Sequence, residues 1–155
     1  MYSTRVPWHV NAPRAVVYRA LLDAEAIARW RVPAGMSSHV HEFDAREGGA
    51  FRVSLTYDTE AGAGKSDSRT DTYHGRFTEL VPDEKVVEVF EFETGDPALR
   101  GVMTMTTTLT DAGGGTDVLL VHEGIPDAVP AKDNETGTRM ALDRLAALVE
   151  GRRSD

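Results

Sequence analysis

The sequence contains no cysteine. A disulfide framework, a thiolate zinc site and a cysteine nucleophile are therefore excluded, and a reducing, cytoplasmic location is the expectation. No apolar run approaches the ~20 residues that a membrane-spanning helix needs, and Met1 to Val10 lack the apolar centre of a signal segment. Positive charge is scarce: 17 Lys and Arg stand against 25 Asp and Glu, a formal net charge of −8. No basic cluster interrupts that balance, which argues against nucleic acid and against an anionic membrane surface as partners. Catalytic signatures are missing too. There is no G-x-S-x-G, no H-E-x-x-H and no dinucleotide fingerprint. Gly62-x-Gly64-Lys65-Ser66 shares only its end with a phosphate loop, since the first glycine is not at the needed spacing and no helical pattern follows. A serine hydrolase or a nucleotide enzyme has no support, and no cofactor or metal is expected.

What is present is a change of period along the chain. At 155 residues it reads as one domain, 1–155, long enough to bury a core unaided. Tyr2 to Val10 alternates as a strand, and Pro7, lacking a backbone donor, places it at a sheet edge or a bulge. Asn11 as cap and Pro13 in the first turn start a helix to about Leu22. Asp23 caps a second short helix through Trp30. The period then becomes two, with strands over 38–44, 50–57, 70–81, 85–93, 101–110 and 116–123. Residues 58–70, rich in Gly, Ser and Asp, read as a long mobile hairpin loop. From about Pro130 to Glu150, Met140, Ala141, Leu142, Leu145, Leu148 and Val149 recur at helical spacing, Gly151 stops the helix, and 152–155 form a tail. One strand, two short helices, a meander of six strands and one long helix make an α+β protein: a curved antiparallel sheet of about seven strands with helices on one face.

Two titratable residues fall on apolar strand faces. Val86, Glu88, Phe90 and Phe92 alternate on one side. An inward Glu88 could serve as acid, base or ligand anchor; a register bulge would instead carry it to solvent or to a salt bridge. Thr116, Val118, Leu120 and His122 alternate likewise, so His122 is either a ligand-facing base or a hydrogen-bonded structural histidine. His39 and His41, two apart on one strand, could chelate a metal with His74 as a conceivable third ligand, or simply face solvent.

The order of elements, together with Ala26-Ile27-Ala28-Arg29-Trp30 before Pro33, Phe43 to Phe51 (FDAREGGAF), Tyr73-His74-Gly75 running to Leu80-Val81-Pro82-Asp83-Glu84-Lys85, Thr116 to Pro126 and Leu142-Asp143-Arg144-Leu145, resembles the helix-grip (START, or Bet v 1-like) fold of the SRPBCC superfamily. Within it the chain is similar to the branch named after the activator of heat-shock-chaperone ATPase, the AHSA type. The resemblance implies a sheet wrapped around the C-terminal helix and a cavity between them that holds an apolar ligand. Its walls would be Phe51, Val53, Leu55 and Tyr57; Phe77, Glu88 and Phe90; Met103, Met105, Leu120 and His122; Trp30; and Thr138 and Met140 from the helix. Members of that family usually carry Gly-Trp in this helix, whereas here Thr138 follows Gly137, which widens the cavity and adds a hydroxyl. They also usually carry a large apolar residue at the position of Glu88.

Three functions fit these expectations. The first is a binding protein for a small apolar or amphipathic ligand, as a monomer or homodimer. The second is a cyclase, dehydratase or hydrolase using Glu88 and His122 as acid–base residues. The third is a co-chaperone-like or regulatory protein-interaction module.

Overall fold

The structure is a computed structural model and describes residues 1–58 and 70–152. β1 (Tyr2–Val10) leads into α1 (Arg14–Leu21) and α2 (Ala24–Trp30). The meander follows as β2 (Met36–Phe43), β3 (Ala50–Tyr57), β4 (Thr70–Val81), β5 (Lys85–Phe92), β6 (Met103–Ala112) and β7 (Gly115–Ile125), and α3 (Ala131–Glu150) comes last. The expected loop over 58–70 falls on residues 59–69, and most of the expected tail on 153–155; both lie outside the described residues. Arg152, assigned to the tail, closes the helix instead, its backbone N–H bonding the carbonyl of Ala147 at 2.8 Å.

The seven strands form one antiparallel sheet in the order β1-β7-β6-β5-β4-β3-β2. The chain is an α+β helix-grip fold. β1 is an edge strand, which is how Pro7 is tolerated opposite Leu119. The β6–β7 hairpin turns on Gly113 and Gly114, whose φ values of 59° and 85° are those of a two-residue turn that follows the sheet's twist. At Gly75 an added Cβ would lie 1.9 Å from the carbonyl oxygen of Val89, so β4 and β5 approach more closely there than any side chain permits. One expectation fails locally. Asn11 does not cap α1: Pro13 takes the cap position, and the Asn11 side-chain oxygen faces His9 Nε2 at 3.1 Å. A proline just ahead of the first helical residue needs no partner for the N–H it lacks.

The helices cover the concave face of the sheet. α3 is held there in two ways. Its C-terminal half packs: Leu142 and Leu145 are fully buried with Val6, Val10, Val17 and Trp30, and each such side chain contributes about 2 kcal/mol. Its N-terminal half buries no residue fully and is tied by polar contacts. The Thr4 hydroxyl donates to Asn134 Oδ1 at 2.8 Å, and the Tyr2 hydroxyl bonds the carbonyl of Val129 just before the helix.

Candidate functional site

Where the N-terminal half of α3 stands off the sheet, a cavity of about 310 Å³ opens. Leu55, Tyr73, Phe90, Phe92, Met105, Leu120 and His122 form its sheet wall. Trp30, Arg31, Val32 and Pro33 close the side at the end of α2, and Asp133, Asn134, Gly137, Thr138 and Ala141 form the α3 side with Val129. Gly137 is a cause of the space: a Cβ there would meet nothing within 4 Å. The walls are mostly apolar, with a few polar groups at set places, the usual make-up of a small-molecule site.

The sheet register sets those places. Phe77, Glu88, Met105, His122 and Thr4 lie opposite one another in sequence across β4, β5, β6, β7 and β1. Glu88 and His122 thus share a row but stand two strands apart, roughly 10 Å at the usual strand spacing. A bulge does occur beside Glu88, between Phe77 and Glu79, but it is on β4; β5 keeps its alternation and Glu88 stays inside, 6% exposed.

Its partner is Arg31. That residue ends α2, where its backbone N–H still bonds Ile27, and its guanidinium donates to Glu88 at 2.7 Å. The guanidinium also sits over the rings of Tyr73 and Phe90, 5.2 and 5.5 Å from their centroids. Burial opposes the charge on Arg31; Glu88 more than offsets it, so the guanidinium holds its proton above the ordinary range. The pair is satisfied and adds no net charge to the site.

His122 is set differently. Asn134, oriented by the Thr4 hydroxyl on its oxygen, donates through Nδ2 to His122 Nδ1 at 3.3 Å. The proton of the neutral ring is then on Nε2. Burial, and then the charge of Arg31, push the imidazole down to about 4, so the ring is neutral around pH 7. Among the described residues Nε2 has no hydrogen-bond partner, and neither has the hydroxyl of Tyr73. Burial raises the Tyr73 phenol above its ordinary value, the charge of Arg31 opposing and that of Glu88 assisting. An unpaired buried polar atom costs about 1–3 kcal/mol. Among the described residues one other side-chain atom shares this condition, Ser38 Oγ on β2, which is not on the cavity wall.

Of the residues expected around a ligand, Trp30, Leu55, Phe90, Met105, Leu120, His122 and Thr138 line the cavity. The others do not, for identifiable reasons. Phe51 and Phe77 pack ring against ring at 5.2 Å inside the core, where Val53 and Met103 are also buried. Tyr57 lies at the far end of β3, opposite Met36. Glu88 is behind the guanidinium of Arg31, off the wall. Met140 is 36% exposed, about a quarter-turn from the stripe of Asn134, Gly137, Thr138 and Ala141. The Thr138 hydroxyl is spent on its own helix, donating to the carbonyl of Asn134 at 2.9 Å. A hydrogen-bonded pairing of Glu88 with His122 is replaced by Glu88–Arg31 and His122–Asn134.

Sequence reasoning missed Arg31, Asn134 and Tyr73 as site residues. The alternation of Tyr73, Gly75 and Phe77 on β4 was signal enough for Tyr73. For Arg31 there was none beyond the need of a buried carboxylate for a cation. On the outer face His39 and His41 meet edge to face at 4.5 Å, while His74 bonds Glu93 and Glu91 at 3.0 and 3.2 Å. Among the described residues no group of three His, Asp or Glu is placed to hold a metal.

The profile of the family described as "Activator of Hsp90 ATPase homolog 1-like protein" matches residues 11–150. The chain is 37% identical to protein CV1439 from Chromobacterium violaceum, with a TM-score of 0.85 over 96% of this chain and 97% of that one. It resembles in fold a Rhodobacter sphaeroides protein (20% identity, TM-score 0.79, 98% and 95% covered) and an Arthrobacter aurescens protein (15%, 0.80, 99% and 88%). A search of the curated proteins gives no match. Since the matched profile runs from the start of α1's lead-in to the last residue of α3, taking in the cavity's helical and sheet walls alike, the chain belongs to the Activator of Hsp90 ATPase homolog 1-like family.

Proposed function

We propose that the protein binds a small apolar or amphipathic molecule between the sheet and the N-terminal half of α3. The observation that carries this reading is the cavity of about 310 Å³ left where the helix stripe loses its bulk at Gly137. The helix-grip fold commonly binds hydrophobic ligands, which fits a cavity built in this way. Native mass spectrometry of freshly purified protein tests the reading. A small molecule is expected to fly with the native chain, to leave on denaturation, and to be lost when the cavity is filled by Gly137→Leu. Identical native and denatured masses, or retention of the same molecule by the filled variant, would sink it.

Acid–base catalysis by Glu88 and His122 gains no support, since Glu88 is engaged by Arg31 and off the cavity wall. A protein-docking role gains little either. Among the described residues the exposed large apolar side chains are Met1, Val102 and Met140, from three separate segments.

A further inference from the structure

We infer that the ligand is uncharged and carries hydrogen-bond-accepting oxygen, as a ketone, aldehyde, ester or alcohol does, on the side of the cavity where the Tyr73 hydroxyl and the Nε2–H of His122 lie without partners. This rests on the cavity reading and deepens it. Tyr73 and His122 are 5% and 6% exposed, both belong to the cavity wall, and each has a polar atom without a partner. They flank Phe90, whose ring lies 5.7 Å from that of Tyr73 and 5.4 Å from that of His122. The imidazole presents a donor there, because its other nitrogen already accepts from Asn134. The phenol can donate as well. Two buried donors left without partners beside an otherwise apolar space call for an acceptor.

The same wall disfavours a carboxylate. Among the described residues Arg31 is the only cation on it, and that charge is answered by Glu88 at 2.7 Å. Among the described residues the wall's one carboxyl side chain is that of Asp133, which offers a carboxylate no partner of opposite charge. A buried carboxylate head would therefore meet no free counter-charge, and a charge taken out of water without one is strongly disfavoured.

Trp30, on the cavity wall with its indole N–H fixed to the carbonyl of Ala20 at 3.0 Å, is a built-in reporter once Trp8 is changed to Phe. Four probes of one chain length, nonanone, nonanol, nonanoate and nonane, are titrated against Trp30 emission in the Trp8→Phe protein, with and without Tyr73→Phe. Nonanone and nonanol are expected to bind, with nonanoate weaker by at least about tenfold. Tyr73→Phe is expected to weaken nonanone about tenfold and to leave nonane unchanged. That variant removes only an unpartnered hydroxyl, so folding is not at risk. Nitrogen NMR of the His122 ring is expected to show the Nε2–H form and to shift with nonanone. Nonanoate binding as tightly as nonanone, or Tyr73→Phe matching wild type with nonanone, overturns the head-group inference and leaves the cavity reading standing. No response of Trp30 to any probe overturns both.

Discussion

Removing the carboxylate of Glu88 leaves a buried guanidinium between two aromatic rings with nothing to answer its charge. Glu88→Gln is accordingly expected to lower the unfolding free energy by about 3 kcal/mol, read from urea denaturation. The double change Glu88→Leu with Arg31→Met removes both charges and is expected to recover most of that loss; a single variant as stable as wild type contradicts the pairing. Taken from the sequence alone, Glu88 was open between an inward acid, base or ligand anchor and a bulged residue reaching solvent or a salt bridge. Its inward direction was legible, because three apolar neighbours alternate with it. Its partner was not, because Arg31 lies far away in the sequence at the end of a helix and nothing local marks it among the other arginines. Tyr73→Phe should behave in the opposite manner, with unchanged stability or a gain of about 1 kcal/mol, because the lost hydroxyl has no partner to abandon.

For an element, the informative case is α3. Its period was clear in the sequence, and so was the missing bulk at Gly137 and Thr138. Which side chains then face the void was less clear, since a quarter-turn separates Met140 from the wall and the sequence shows the turn only approximately. Gly137 lies in the helix interior, where glycine is disfavoured by about 1 kcal/mol relative to ordinary helix formers, and no atom stands within 4 Å of its missing Cβ. Gly137→Leu is therefore expected to raise the thermal midpoint of the ligand-free protein while abolishing binding of nonanone. A melting curve and one titration check this; a destabilised variant would mean the space is smaller than described. The strands were legible for the same reason as the helix, by period. Pro7 announced the edge position of β1, whereas the cap of α1 was misread because Asn11 has a competing partner in His9.

For the whole molecule, stability should depend on pH through His122. Its imidazole is held at about 4 in the folded chain against an ordinary 6.5, so the unfolded state takes up the proton first. The resulting stability is fully present above pH 6.5, declines as pH falls, and is gone below about 4, a loss on the order of 3 kcal/mol. Denaturation at pH 7 and pH 4 is expected to differ by that much less in His122→Phe than in wild type; equal differences would show that the ring is not shielded. Glu93, held at about 2 by Arg52 and further lowered by His74, acts in a separate window, its contribution fading as pH falls from 4.5 towards 2. A ligand in the cavity adds stability that grows with the logarithm of its concentration, so any of these midpoints also reports occupancy.

The pairing of β1 with β7 has a consequence for synthesis. Thr116 and Val10 face each other although about two-thirds of the chain separates them, and among the described residues β1 has no other strand beside it. The strand made earliest must wait for the one made latest. The meander from β2 to β6 can zip hairpin by hairpin as it leaves the ribosome, but the sheet is completed only once β7 has emerged, and α3 seats after that. Throughout that interval β1 is a bare strand with an apolar face, and Pro7, which cannot donate to a neighbour, limits its capacity to recruit a wrong one.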